Sequence, residues 1–150
     1  MIKKEEQKRV VVFGIFDGIH DGHRSLFRQA LRLGSKHLAH GEPKEDIELV
    51  VIVGRDLSAL KLKGKTPKNS EQTRLNLVSK EPDVDKVVLG DKKQGTYAVL
   101  QKLDPDIVCF GYDQSELEQD FKAWAKKQQL NISVVRLKPF YPKKYHSSIL

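Results

Sequence analysis

Five short apolar runs alternate with stretches of helical spacing, and that alternation constrains the fold more than any other feature of the chain. Arg9 to Phe16, Glu48 to Val53, Asp85 to Leu89, Ile107 to Phe110 and Asn131 to Leu137 are Val- and Ile-rich and too short for helices. Between the first two, His23 to Ser35 places Leu26, Phe27, Ala30, Leu31 and Leu33 at helical spacing, with Gly34 near its end. Further helices are predicted from Asn69 or Ser70 to about Lys80 (Leu75, Leu77 and Val78 inward), around Tyr97 to Leu103, and from Ser115 to Gln129. Strands that are apolar throughout, and not on alternate residues, suit a sheet buried on both faces. Strands joined through helices run mostly parallel. The expectation is one α/β domain over residues 1–150, with no repeat, linker or low-complexity tract dividing it.

The bulk composition agrees. A chain of 150 residues, 39% of them hydrophobic, can build one core. No apolar run approaches the roughly 20 residues needed to cross a bilayer, and the charged start from Met1 to Arg9 does not read as a leader. Cys109, the sole cysteine, excludes an internal disulfide and a cysteine-built zinc site. These features predict a cytoplasmic protein. The net charge of +7 calls for a polyanionic partner. Lys61, Lys63, Lys65 and Lys68 fall in the acid-free stretch Leu57 to Ser70, read as a loop, and Arg136, Lys138, Lys143 and Lys144 gather near the C-terminus. Such patches line a nucleic-acid groove, converge on a triphosphate, or merely solvate a surface. With only 7% aromatic residues and no stacking array, an RNA-binding sheet is disfavoured.

The unusual residues concentrate after the first strand. Gly14, Gly18 and Gly22 lie four apart and leave room for backbone to approach a ligand. His20 and His23 straddle the start of a helix, whose N-terminal amides favour an anion. At that spacing both imidazoles can reach one phosphate and donate hydrogen bonds as charge grows in a transition state. The alternative is that both histidines pack or cap. Cys109 and Trp124, in turn, read as core, and Glu116, Glu118 and Asp120 as a solvated helix start.

Gly14 to His23, with His20-Asp21-Gly22-His23 preceded by Phe16-Asp17, resembles the signature of the HxGH cytidylyltransferase-like superfamily. The resemblance implies a Rossmann-like parallel sheet of order 3-2-1-4-5 and transfer of a nucleotidyl group from a nucleoside triphosphate to a small acceptor. It covers nearly the whole chain. Gly54-Arg55-Asp56 resembles the element after the second strand, the lysine stretch a basic loop over the phosphates, and Glu71-Gln72-Thr73-Arg74 a helix carrying an arginine near the site. From the residues alone, Arg74 reads equally as a solvated helix arginine. Gly111-Tyr112-Asp113-Gln114 is similar to the base-binding segment of archaeal-type FAD synthetases, and Tyr145-His146-Ser147-Ser148-Ile149 to the closing Ile-Ser-Thr-Thr motif. Ile15 departs from the family's common threonine, and the arginine of the closing motif is missing, with Lys143 or Lys144 as substitutes. The chain stops at Leu150, as the family's last helix would begin.

The resemblance assigns His20, His23 and Lys63 to catalysis. It assigns Gly14, Ile15, Phe16, Asp17, Gly22, Lys65, Arg74, Gly111, Tyr112, Asp113, Ser147 and Ser148 to nucleotide binding. Magnesium is expected to arrive with ATP or CTP, held mainly by phosphates, with no protein metal site. Phe16-Asp17-Gly18-Ile19-His20 is similar to the Phe-Asp-Gly-Val-His of flavin adenylyltransferases, a resemblance that puts FMN with ATP slightly ahead of glycerol-3-phosphate or another phospho-alcohol with CTP. No residues remain for a flavin kinase module, so riboflavin itself is not an expected substrate. Partners are expected to be small molecules, not nucleic acid or membrane, with a homodimer allowed. A reading of another class is a non-catalytic nucleotide- or nucleic-acid-binding protein on the same fold.

Overall fold

The structure, a computed structural model, describes residues 7–36, 46–93 and 95–139, the side chains of Leu62 and Lys63 excepted. In chain order the elements are β1 (Lys8–Gly14), α1 (Asp21–Lys36), β2 (Ile47–Val53), α2 (Asp56–Lys63), α3 (Glu71–Ser79), β3 (Lys86–Leu89), α4 (Ala98–Leu103), β4 (Ile107–Phe110), α5 (Ser115–Lys127) and β5 (Ser133–Arg136). The strands form a sheet of order β3-β2-β1-β4-β5, every neighbouring pair parallel. This is the Rossmann-like α/β sheet that the resemblance implies. The chain runs outward from β1 to β2 and β3 on one side and to β4 and β5 on the other. Ligands in such sheets bind in the crevice beyond the strand ends at that reversal.

Burial on both faces explains the unbroken apolar runs. Val10 and Val12 face one core with Leu49, Val51, Cys109 and Ile107, where α1 supplies Phe27 and Ala30, and α3 supplies Val78. Val11 faces the other with Val50, Ile52, Val108 and Phe110, covered by Leu100 and Leu103 of α4 and Phe121 of α5. Cys109 is wholly buried, and burial pushes its thiol up to about 12, which makes it packing and not a nucleophile. Gly34 lets α1 lie close on β2, because a Cβ there would stand 2.9 Å from the Ile47 side chain.

Three boundaries differ from expectation. The lysine stretch read as a loop is helical over its first half: α2 runs to Lys63 and ends at Gly64, whose φ of 76° closes the last turn through a hydrogen bond to the Leu60 carbonyl. Leu57, Ala59 and Leu60 are good helix formers, and no glycine or proline interrupts them before Gly64. β1 stops at Gly14, which frees Ile15 and Phe16 from the ladder. α1 starts at Asp21, so His23 sits inside its first turn. Ser70 caps α3 as the sequence predicts, its hydroxyl accepting from the Thr73 N–H.

Candidate active site

The site begins with a turn that folds back on itself. Phe16 adopts φ 57°, costly for a bulky residue, and its ring is buried against His23 and Phe27 at centroid distances of 5.1 and 5.7 Å. A Cβ on Gly14 would stand 2.3 Å from that ring. Gly14 therefore makes room for Phe16, a packing use that the four-residue glycine spacing does not announce. Gly18, at φ 129° with open space around it, is where conformational freedom itself is needed.

Beyond that turn the His20 carbonyl accepts from the His23 and Arg24 amides at 3.0 and 3.2 Å, opening α1. The two imidazoles stack with centroids 3.9 Å apart. The Gly22 N–H donates to His20 Nδ1 at 3.0 Å, and the His20 N–H donates to His23 Nδ1 at 3.2 Å. Because each Nδ1 is an acceptor, each neutral ring carries its proton on Nε2 and keeps that N–H for something else. Burial first, and the neighbouring His20 second, hold His23 down at about 4, so it is neutral at physiological pH.

A pH dependence follows. Between the ordinary value of 6.5 and about 4, the unfolded chain takes up a proton at His23 that the folded protein refuses. Stability must fall as pH drops through that window, with the full penalty reached below it. The expected result is a decline in the thermal unfolding temperature from pH 6.5 to 4 that is smaller in His23→Gln. Equal declines in both proteins would show that His23 is not held neutral by its site.

Charged side chains fix the loops around this corner. The Asp17 carboxylate accepts from the backbone N–H groups of Lys68 and Asn69 at 2.6 and 2.8 Å, and from Asn69 Nδ2 at 3.1 Å. Those donors, the backbone ones foremost, hold it below the usual carboxylate range. Arg74 departs from the expectation of an arginine offered to phosphate. Its side chain is fully buried, and its guanidinium donates to the carbonyls of Asn69, Ile15 and Gly54 and to Asp56 Oδ1. Arg55 donates to the Gly90 carbonyl and to Glu71, tying the loop after β2 to the loop after β3. Ile15, in the place of the usual threonine, lays its side chain over Gly54, where a Cβ would meet it at 2.7 Å.

Across the reversal, Gln114 steadies the turn after β4. Its Oε1 accepts from the Gly111 N–H at 2.7 Å and its Nε2 donates to the Phe13 carbonyl at 3.4 Å. A Cβ on Gly111 would stand 3.2 Å from Asp113 Oδ1. Tyr112 is 52% exposed at the rim.

These loops enclose a cleft of about 1200 Å³. Gly14, Ile15, Phe16, Asp17, His20, Gly22, His23, Lys65, Gly111, Tyr112 and Asp113 all line it; Arg74 lies behind the lining. Lys63 ends α2, but its side chain lies outside the described residues, as do Ser147 and Ser148. Of the second basic patch, Arg136 is taken up in an ion pair with Glu118 at 2.8 Å. Sequence reasoning missed Lys93 and Tyr97, which also line the cleft. Tyr97 stands in the left-handed region at φ 51° and its hydroxyl donates to Asp120 at 2.6 Å; no periodicity marks such a position. Among the described residues, no group of three His, Cys, Asp or Glu is placed to hold a metal, and no helix is long and apolar enough to cross a membrane.

Residues 11–150 match the Cytidylyltransferase-like family. The chain belongs to that family. It is a nucleotidyltransferase. The FAD synthase of Aciduliprofundum boonei is 36% identical over 132 residues, covering 88% of this chain and 79% of that one. The FAD synthase of Korarchaeum cryptofilum is 38% identical over 136 residues, or 91% of this chain and 85% of the relative. Among solved structures, the lipopolysaccharide core biosynthesis protein of Thermoplasma volcanium superposes with a TM-score of 0.73 at 30% identity, covering 89% of this chain and 98% of that one.

Proposed function

We propose that this family member transfers AMP from ATP to FMN, forming FAD and releasing pyrophosphate. The observation that carries the transfer chemistry is the stacked pair His20 and His23, each with its Nδ1 satisfied by backbone, lining the cleft at the N-terminus of α1. Two Nε2–H donors, that of His23 on an imidazole held neutral, and a helix N-terminus suit phosphate oxygens on which charge builds. The flavin acceptor is supported by the likeness to archaeal proteins named FAD synthase and by the Phe16-Asp17-Gly18-Ile19-His20 pattern. The cleft, at about 1200 Å³, exceeds what one small ligand fills and leaves space for a second substrate.

In this reading an FMN phosphate oxygen attacks the α-phosphorus of ATP in line. The bond from that phosphorus to the bridging oxygen breaks, and pyrophosphate leaves with the electron pair. No protein nucleophile takes part, so the residues position substrates and offset charge. His20 and His23 serve the α- and β-phosphates. Lys65, with Lys63, serves the β- and γ-phosphates, and Ser147 and Ser148 the γ side. The turn from Gly111 to Asp113 meets the base, with Tyr112 beside it. Asp17, Asp91, Asp113 and Glu116 line the cleft but do not cluster into a group of three metal ligands among the described residues, an arrangement that fits magnesium held largely by phosphate and water. Magnesium arriving with the triphosphate would supply further neutralisation of its phosphate charge. The substrates are small and soluble, and the protein works in the cytoplasm.

Calorimetric titration of MgATP and MgCTP reads nucleotide choice directly. Base edges are discriminated by a few hydrogen bonds, and a wrong base leaves their buried partners unpaired. ATP is expected to bind at least about tenfold more tightly, a difference of about 1.4 kcal/mol. Tighter binding of CTP would overturn the adenylyl reading and leave nucleotidyl transfer standing.

A further inference from the structure

Arg74 is the most completely buried charge beside the cleft, at 0% exposure. Burying a guanidinium is costly unless its donors are matched, and here they are: Nε to the Asn69 carbonyl at 3.1 Å, Nη1 to the Ile15 and Gly54 carbonyls at 2.8 and 2.7 Å, and Nη2 to Asp56 Oδ1 at 2.6 Å. An apolar side chain of the same volume would fill the space but leave three carbonyls without this donor. The acceptors belong to separate loops. Ile15 lies on the loop after β1, which leads to the imidazole pair. Gly54 and Asp56 follow β2. Asn69 ends the segment from Lys65 to Lys68, each residue of which lines the cleft. Asp17 fastens the same segment from its exposed side. No other side chain among the described residues is shown bonding to all three loops.

We infer that Arg74 is a positioning residue for nucleotidyl transfer: it sets the separation between the His20–His23 pair and the lysine-bearing segment, so that both meet one triphosphate. The guanidinium touches no substrate, since it lies behind the cleft wall. Its fork of donors at fixed angles is what the task requires. A lysine ammonium at the same site, a point donor on a flexible stem, cannot hold carbonyls from three directions in one plane. The inference rests on the reading of the cleft as a triphosphate site.

The experiment is a double-mutant cycle on the full chain, combining Arg74→Lys with Lys65→Ala, at a temperature where circular dichroism shows every variant folded. Arg74→Lys is expected to raise the KM for MgATP about tenfold and to lower kcat. Lys65→Ala is expected to cost less in the Arg74→Lys background than in the wild type, because the lysine is already misplaced. A purely structural arginine would lower the unfolding temperature yet leave KM and kcat of the folded protein unchanged. That outcome, or full additivity of the two substitutions, overturns the inference. Should Arg74→Lys fail to fold, Asp56→Asn loosens the same hold at a side chain 37% exposed. Unchanged KM and additivity with Lys65→Ala there overturn it equally. Calorimetry on the wild type separates the two levels: no binding of MgATP or MgCTP removes the triphosphate reading itself, whereas wild-type binding with additive variants removes only the role of Arg74.

Discussion

His23→Ala is expected to leave the fold standing and to lower turnover by about 10²–10³-fold, the usual effect of losing one transition-state donor. The imidazole sits in the first turn of α1 at the cleft wall and outside both buried clusters. Its removal opens space beside Phe16 without unpacking the sheet. Two things go with it: the Nε2–H donor, and the Nδ1 that accepts from the His20 N–H. His20→Ala should fall comparably, because the stack with His23 and the acceptor for the Gly22 amide are both lost. The double variant should cost less than the product of the single ones, since the rings act as a unit. Pyrophosphate release by either folded single variant at the wild-type rate would mean that the pair is not where transfer occurs.

Gly14→Ala carries the second large effect, and it acts on stability first. The added methyl would meet the Phe16 ring at 2.3 Å, well inside contact distance. The ring cannot simply swing away, because it is buried and wedged between His23 and Phe27. Overpacking of this kind typically costs about 1–3 kcal/mol. Relief by moving Phe16 would also shift the ring on which His23 rests. Denaturant unfolding should show a stability loss in that range, together with reduced activity in the fraction that remains folded. A stability equal to wild type would mean that Phe16 does not fill the space above Gly14.

What the residues disclosed, and what they hid, divides along physical lines. The strands were legible because a sheet covered on both faces needs unbroken apolar runs, as Val10, Val11 and Val12 illustrate with exposures of 0, 0 and 1%. Their spatial order was not readable from periodicity and came from the family resemblance. Arg74 was read as a solvated or phosphate-facing arginine because helical periodicity places polar residues outward. Its burial is decided by carbonyls 59 and 20 residues away in the chain, at Ile15 and Gly54. The packing role of Gly14 was hidden for a related reason. Its use depends on Phe16 turning back at a positive φ, a conformation that local propensity argues against for an aromatic residue. The His20–His23 motif was legible because its chemistry is local, held by backbone groups within three residues.

The central claim, adenylyl transfer to a flavin phosphate, is most directly addressed by measuring pyrophosphate and FAD together. Wild-type protein is incubated with MgATP and FMN, and in parallel with MgCTP and glycerol-3-phosphate. The account predicts that pyrophosphate appears with ATP and FMN, in equal amount to FAD, and that omitting FMN abolishes its release. Pyrophosphate formed only with CTP and glycerol-3-phosphate, or nucleotide bound with no pyrophosphate from any pairing, would contradict it.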